Sequence, residues 1–262
     1  FAYDADAGKF IGCNDMSNID GNKITDIRRW CVHNDILYCG VRVTDRNGRD
    51  RGAVLRWYGD KNDPWKFHIV GLVDNEAAEL ACFNNRIYIG TWATVSAVHV
   101  SPEIPEGGFT PVSIDSEMWP KVWTSDVAEP TKTLGRSITS VAGFHEWRNH
   151  LHWGVFCPNY YVLSTAQSTY GSLTSPDALA FILGNYRTPS FWRIDKDNNY
   201  ELLYGDTTNP KPVYDKEGKI ENWELEPSGL EAKWGRGGFG NLWTIYIWAI
   251  QEYDGNMYVG TM

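Results

Sequence analysis

Short apolar segments alternate along the chain with tight polar turns, and one such pattern recurs four times. Residues 80–91 (LACFNNRIYIGT) align without gaps on residues 250–261 (IQEYDGNMYVGT), and residues 30–40 (WCVHNDILYCG) form a third copy in the same register. A fourth, looser copy covers residues 141–154, with three residues inserted in its turn. In each copy an apolar strand leads through a polar turn into a second strand that ends in Gly. This turn chemistry predicts a β-hairpin in every copy.

Two further strand-like segments follow three of these hairpins. They are residues 53–58 and 65–70, residues 96–100 and 109–114, and residues 190–194 and 200–204. Gly90 follows Gly40 by 50 residues, which is the length of one four-stranded propeller blade. The later motif glycines, Gly154 and Gly260, are more widely spaced, so the later blades carry insertions. We therefore predict an all-β fold, a β-propeller of five four-stranded blades with long insertions on one face, and four blades as the second count.

The prediction treats residues 1–262 as a single propeller domain. Residues 1–11 read as strands three and four of a blade, and the chain stops just after the second strand of another. Closure of one blade by strands from both termini follows from this interpretation. The alternative is that the sequence is an excised part of a longer propeller. The start at Phe1, without an initiator Met or a signal-peptide pattern, indicates processed or trimmed ends.

The hairpin motif resembles kelch-type and related β-propeller repeats. It consists of an apolar strand, an Asn/Asp/Gly turn and the run Ile/Leu/Met-Tyr-Ile/Val-Gly-Thr. Residues 238–241 (GFGN), leading to Trp248, are similar to segments of uncharacterised bacterial propeller proteins. The resemblance covers most of the chain as a blade pattern, but each motif has one Gly where kelch repeats have a pair. Since propellers serve as enzymes, lectins and scaffolds, the resemblance implies a fold and assigns no activity.

Composition and charge narrow the classes of partner. The net charge is −9 and no stripe of Lys and Arg is present, so we expect no nucleic-acid partner. The longest apolar runs are far shorter than a membrane span. The chain also has 13 Trp, more than an ordinary domain carries. Five of them lie on predicted strands, where we expect them to pack between sheets: Trp30, Trp57, Trp65, Trp192 and Trp248.

The five cysteines do not have the spacing of metal ligands. In the first hairpin Cys31 is expected to face Tyr38, and Cys39 to face Trp30, so the two thiols point to opposite faces of the sheet and cannot bridge. We expect buried free thiols that pack as small hydrophobic groups. The cysteines do not determine the cellular compartment. A secreted or periplasmic location is favoured over a cytoplasmic one.

The long segments after strand two and between blades form the candidate binding face. They are residues 42–51, 92–95, 117–136, 155–188 and 207–237. Long loops at one end of a rigid scaffold are the usual place for binding. Aromatic side chains with a polar group stack on polar ligands and form hydrogen bonds with them. The predicted binding residues are Arg42, Trp92, Trp119, Trp123, Tyr160, Tyr161, Tyr170 and Trp234.

These features predict a binding module that recognises a polar small molecule, a glycan or an extended peptide, without a cofactor. The alternative is a hydrolase or lyase that acts on glycans with carboxylates at the mouth of the propeller channel. A facing pair of carboxylates favours the enzyme. An aromatic-lined pocket without such a pair favours binding. The sequence leaves the oligomeric state open.

Two motifs resemble a metal site and a dinucleotide-binding turn, but their sequence context favours other interpretations. His145, His150 and His152 are weak candidates for metal ligands, since two of them share one strand face. His152, however, stands where the repeat has Tyr, which favours packing, so we predict no metal site. Residues 235–240 contain the pattern G-x-G-x-x-G, but a strand-like segment follows them instead of a helix. That context excludes a dinucleotide-binding turn.

Overall fold

The computed structural model describes residues 2–262 and shows an all-β protein. Strands hold 47% of the residues and helices 13%. The strands form several antiparallel sheets, one of which curls into a half-barrel. Contacts divide the chain into two compact units: the first contains the residues up to Thr91 together with His99–Lys121, and the second contains Trp92–Val98 and Val122–Met262.

The first unit begins with a hairpin of β1 (Ala2–Asp4) and β2 (Lys9–Gly12). This is the segment predicted as strands three and four of a blade; its first residue, Phe1, lies outside the described residues. A five-stranded sheet follows, in which each strand pairs with the next along the chain. Its strands are β3 (Asn18–Ile19), β4 (Asn22–His33), β5 (Ile36–Thr44), β6 (Asp50–Trp57) and β7 (Phe67–Val73).

The next sheet has four strands, again in chain order. They are β8 (Glu76–Phe83), β9 (Arg86–Trp92), β10 (Ala97–Val100) and β11 (Lys121–Thr124). The prediction of the fourth strand at residues 109–114 was wrong. Pro111 has no N–H for a sheet ladder, and Phe109 instead packs its ring against Tyr38 and Trp119.

The second unit contains a four-stranded sheet and two separate hairpins. The sheet is formed by β12 (Ser140–Trp147), β13 (His150–Phe156), β14 (Phe191–Ile194) and β15 (Tyr200–Tyr204). The hairpins are β16 (Thr208–Tyr214) with β17 (Ile220–Pro227), and β18 (Ile247–Tyr253) with β19 (Asn256–Thr261).

Three α-helices and two 3-10 turns connect these strands. The helices are α1 (Leu134–Ile138), α2 (Tyr160–Tyr170) and α3 (Pro176–Asn185), and the turns are Ser125–Val127 and Gly237–Gly240. The segments predicted as long loops therefore hold regular structure. The Ser175 hydroxyl caps α3 by accepting from the amide of Ala178, and Gly171 ends α2 with a φ of 72°. No helix within residues 2–262 is long and apolar enough to cross a membrane.

The four repeated hairpins share a two-residue turn in which both residues have positive φ. These turns are Asn34–Asp35, Asn84–Asn85, Arg148–Asn149 and Asp254–Gly255. The fourth copy was predicted to have three residues inserted in its turn, and this was wrong. Its irregularity is a β-bulge at Gly143, which has a φ of 59°. The motif glycine consequently stands at the same distance from the turn in every copy.

Two motif glycines lie where another strand approaches closely. In the first unit β8 packs on β4 and β5, and a Cβ at Gly40 would lie 2.3 Å from the carbonyl oxygen of Ala77. In the second unit β18 packs on β12 and β13, and a Cβ at Gly154 would lie 2.3 Å from the Ile247 side chain. At Gly40 and Gly154 the neighbouring strand therefore leaves no space for a Cβ. A Cβ at Gly260 would meet Ala249 of its own hairpin at 3.5 Å, an ordinary contact distance.

The register of the first hairpin is the predicted one. Cys31 pairs with Tyr38 and Cys39 pairs with Trp30, so the two thiols lie on opposite faces of the sheet. All five cysteines are free thiols. Cys39 and Cys157 are buried, whereas Cys13 is exposed, contrary to the expectation that the thiols are buried.

Candidate functional site

A group of neighbouring aromatic rings, all of them residues of the second unit, lies at the ends of strands and at the start of a helix. Trp92 ends β9 and Phe156 ends β13, and their ring centroids are 5.6 Å apart. Phe156 also lies 4.2 Å from Tyr246, beside the start of β18. We call this group the aromatic platform; its members are Trp92, Phe156, Tyr160, Tyr161, Tyr246 and Trp248.

The two tyrosines of α2 extend the platform. Their ring centroids are 4.3 Å apart, and the hydrogen bond to Tyr161 raises the pKa of Tyr160 to about 12. Burial raises the pKa of Tyr246, and the Tyr161 hydroxyl lies close enough to contribute to that shift. Tyr160, Tyr161 and Trp248 are each about half exposed, so a bound molecule can reach their rings.

Backbone and side-chain hydrogen bonds hold the platform in place. The Trp92 indole N–H donates to the carbonyl oxygen of Val141 at 2.9 Å. Phe156 forms an isolated backbone bridge with Tyr246. Asn159, just before α2, donates to the carbonyl of Arg187 at 2.7 Å and accepts from the amide of Arg187 at 3.1 Å. These contacts position both the strand ends and the start of α2, so little ordering is needed when a ligand binds.

A small cavity of about 50 Å³ is lined in part by Cys157, the residue after Phe156 of the platform. Three segments predicted as long loops meet around it, which are residues 117–136, 155–188 and 207–237. Arg187 forms two hydrogen bonds with the buried Glu129 carboxylate, at 2.6 and 2.7 Å. The cavity is lined by Ser125, Glu129, Arg136, Cys157, Arg187 and Asp206, among others.

The two carboxylates that line this cavity accept hydrogen bonds from neighbouring side chains. Both oxygens of Glu129 accept from Arg187, and one also accepts from the Thr133 hydroxyl at 2.5 Å. Asp206 accepts from the Thr188 hydroxyl at 3.1 Å. A carboxylate held by two charge-assisted hydrogen bonds serves well as a structural anchor.

The other predicted binding residues do not join the platform. In the first unit Arg42 pairs with Asp50, and the buried Trp119 lies against Gly71. In the second unit Trp123 is buried, with its ring 5.7 Å from Trp153. The remaining two, which are more exposed, are Tyr170 against Phe181 and Trp234 against Tyr204. Trp119 and Trp123 have almost no exposed surface to offer a ligand.

Sequence reasoning did not identify three platform residues. Phe156 follows the motif Gly154 by two residues, the same offset that places Trp92 after Gly90, so the repeat contained the signal. Tyr246 does not follow a motif glycine, so the repeat gave no signal for it. Trp248 was expected to pack between sheets, but its side chain is half exposed. The expectation for Trp30 was equally wrong, because it is 45% exposed.

The three candidate metal-binding histidines are not part of a group of side chains that could hold a metal ion, within the residues that the structure describes. Among residues 2–262 no group of three or more His, Cys, Asp or Glu side chains is placed to hold a metal ion. His152 is 1% exposed, and its ring lies against Phe191 at a centroid distance of 5.9 Å. Its position is therefore that of a core residue of the sheet.

No protein-family model matches the chain, and no curated protein matches its sequence.

Proposed function

We propose that the chain is a binding module that holds a carbohydrate on the aromatic platform. The observation that carries this proposal is the group of partly exposed rings, Trp92 to Trp248, held at strand ends within the second unit. Aromatic faces stack on the apolar C–H faces of sugar rings, while tyrosine hydroxyls form hydrogen bonds with sugar hydroxyls. The platform supplies both kinds of group.

The choice of carbohydrate over peptide rests on the polarity of the platform. The hydroxyls of Tyr160 and Tyr161 lie at the exposed end of α2, where a ligand rich in hydroxyl groups finds donors and acceptors. The platform has no charged member. A ligand that depends on ion pairs with the platform is therefore disfavoured, and a neutral glycan fits.

We also infer that the repeated sheets are blades of a β-propeller with kelch-like repeats, five in number or four. Three features support this inference. Each sheet of four or more strands is antiparallel and in chain order. Each repeated hairpin has the same turn and the same motif glycine. Within each unit one strand, β8 or β18, packs on a repeated hairpin at its motif glycine. In a propeller such packing places the ends of successive hairpins on common faces.

A glycan array and a peptide array, probed with the whole chain, test the proposal. Wild-type protein is expected to bind glycans, and W92A, Y160A and Y161A are each expected to weaken binding by about 10-fold. The matched control is Tyr214→Ala, which removes an exposed tyrosine from β16, outside the platform. Circular dichroism and thermal unfolding of each variant confirm that it is folded.

Two results would overturn the proposal. One is wild-type glycan binding that survives all three platform substitutions, which would place the site elsewhere. The other is binding to peptides and to no glycan, which would assign the platform to a different class of ligand.

A further inference from the structure

Two cysteines of the first unit lie in direct contact although 51 positions separate them in the sequence. The Sγ atoms of Cys31 and Cys82 are 3.1 Å apart. Cys31 belongs to β4 and Cys82 to β8, two strands that pack face to face. A bridge between Cys31 and Cys39 is forbidden instead, because the register of the first hairpin places them on opposite faces of the sheet.

Contacts on both sides of the thiol pair hold the two strands in place. The Arg29 guanidinium donates to Glu79 at 3.0 Å, and His33 contacts the Asn85 side chain at 3.1 Å. The two thiols lie between these contacts, close to the turns of their hairpins. A disulfide bond is about 2.05 Å long, so the two sulfurs must approach by about 1 Å to form one.

We propose that Cys31 and Cys82 are a redox-sensitive pair that a low-molecular-weight disulfide, such as oxidised glutathione, converts to an intramolecular disulfide. The Cys82 thiolate attacks one sulfur of the small disulfide, which releases one thiolate and leaves a mixed disulfide on Cys82. The Cys31 thiolate then attacks the Cys82 sulfur and releases the second small thiolate. The two protons lost by the protein thiols end on the two small thiols, and the two electrons reduce the small disulfide.

The surroundings of the pair suit this order of attack. The hydrogen bond with Cys31 lowers the pKa of Cys82 and raises that of Cys31, so Cys82 is the stronger candidate for the first thiolate. Both residues pack against the apolar core of the first unit and keep part of their surface exposed. By contrast, burial raises the pKa of Cys39 and of Cys157 to about 12, which makes both thiols poor nucleophiles.

The bond would join the hairpin ends of two packed sheets. Because it closes a long loop, it restricts the unfolded chain and stabilises the first unit. The oxidised protein is expected to melt at a higher temperature than the reduced protein and to return to the lower value on reduction. Equal melting temperatures of the two forms would contradict this stabilising role.

Mass spectrometry of the whole chain, equilibrated with graded ratios of reduced and oxidised glutathione, tests the pair directly. Under oxidising ratios, alkylation after denaturation is expected to modify three of the five thiols, with the pair protected. Cleavage before aspartate separates Cys31 from Cys39, because Asp35 lies between them. The expected cross-link joins fragment 26–34 to fragment 74–114.

Single substitutions give the matched controls. In Cys31→Ser, the remaining Cys82 is expected to stop at the mixed disulfide and to gain the mass of one glutathione. Cys39→Ser is expected to leave the cross-link intact. Five alkylated thiols at every glutathione ratio, or a cross-link that involves Cys13 or Cys39, would overturn the proposal.

Discussion

His152→Phe is expected to make the free energy of unfolding less dependent on pH, because it removes a buried imidazole from the core of the second unit. His152 lies on β13, is almost completely buried, and stacks on Phe191 with an interplanar angle of 26°. Neither ring nitrogen has a hydrogen-bond partner with good geometry. Burial is the main cause that lowers the His152 pKa to about 4, and repulsion from His150, Arg193 and His145 adds to it. The nearby His150 backbone opposes the shift only in part.

The direction of the pH dependence follows from this pKa. In the unfolded chain the imidazole binds a proton near pH 6.5, whereas the folded protein excludes that proton until about pH 4. The unfolded state therefore binds more protons in this window, and the free energy of unfolding falls as the pH falls. The full shift corresponds to about 3 kcal/mol, of which about 2 kcal/mol is lost between pH 7 and pH 5.

Urea unfolding of wild-type protein and His152→Phe at pH 7 and at pH 5 measures this effect. The variant is expected to gain about 2 kcal/mol relative to wild type on going from pH 7 to pH 5. Leu151→Ala is the matched control, because it removes a buried apolar side chain next to His152. It is expected to destabilise the protein by about 2–5 kcal/mol at both pH values. An equal difference between wild type and His152→Phe at the two pH values would refute the reasoning.

Two further substitutions test the packing of the second unit, with unfolding by urea as the measurement. Gly154→Ala is expected to destabilise the protein by about 1–3 kcal/mol, since its Cβ would lie 2.3 Å from Ile247, whereas Gly260→Ala is expected to be nearly neutral. Equal effects of the two alanines would contradict the close approach. Glu129→Ala is expected to cost about 3–5 kcal/mol, because it leaves Arg187 buried without its carboxylate. A loss below about 1 kcal/mol would show that water reaches the guanidinium.

The hairpins were the part of the fold that the sequence predicted best. Asn34, Asn84 and Asp254 adopt positive φ at little cost, so the local chemistry of each turn determines where the chain reverses. The motif glycines were also informative, because Gly40 and Gly154 lie where another strand leaves no space for a Cβ. The turn signal is local and a single sequence contains it, whereas the need for glycine arises from a strand that is distant in the chain.

The structure of the connections between the hairpins was harder to predict from the sequence. The segment 155–188 was predicted as a long loop, although Ser175 and Pro176 form a helix start and Gly171 forms a helix end. Its many Tyr, Ser and Thr residues have weak helix propensity, and the helices are stabilised instead by contacts with one another and with the rest of the unit.

The candidate site depended most on tertiary structure. Short-range backbone chemistry specifies the turns of three repeated hairpins, the spacing of the motif glycines and the all-β class, so these features can be predicted from the chain alone. Packing between sheets determines which aromatic rings remain exposed: Trp123 is buried, whereas Trp248 is half exposed. It also brought Cys31 against Cys82. Exposure and long-range contact depend on how strands pack against each other, and no local pattern in the chain contains that information.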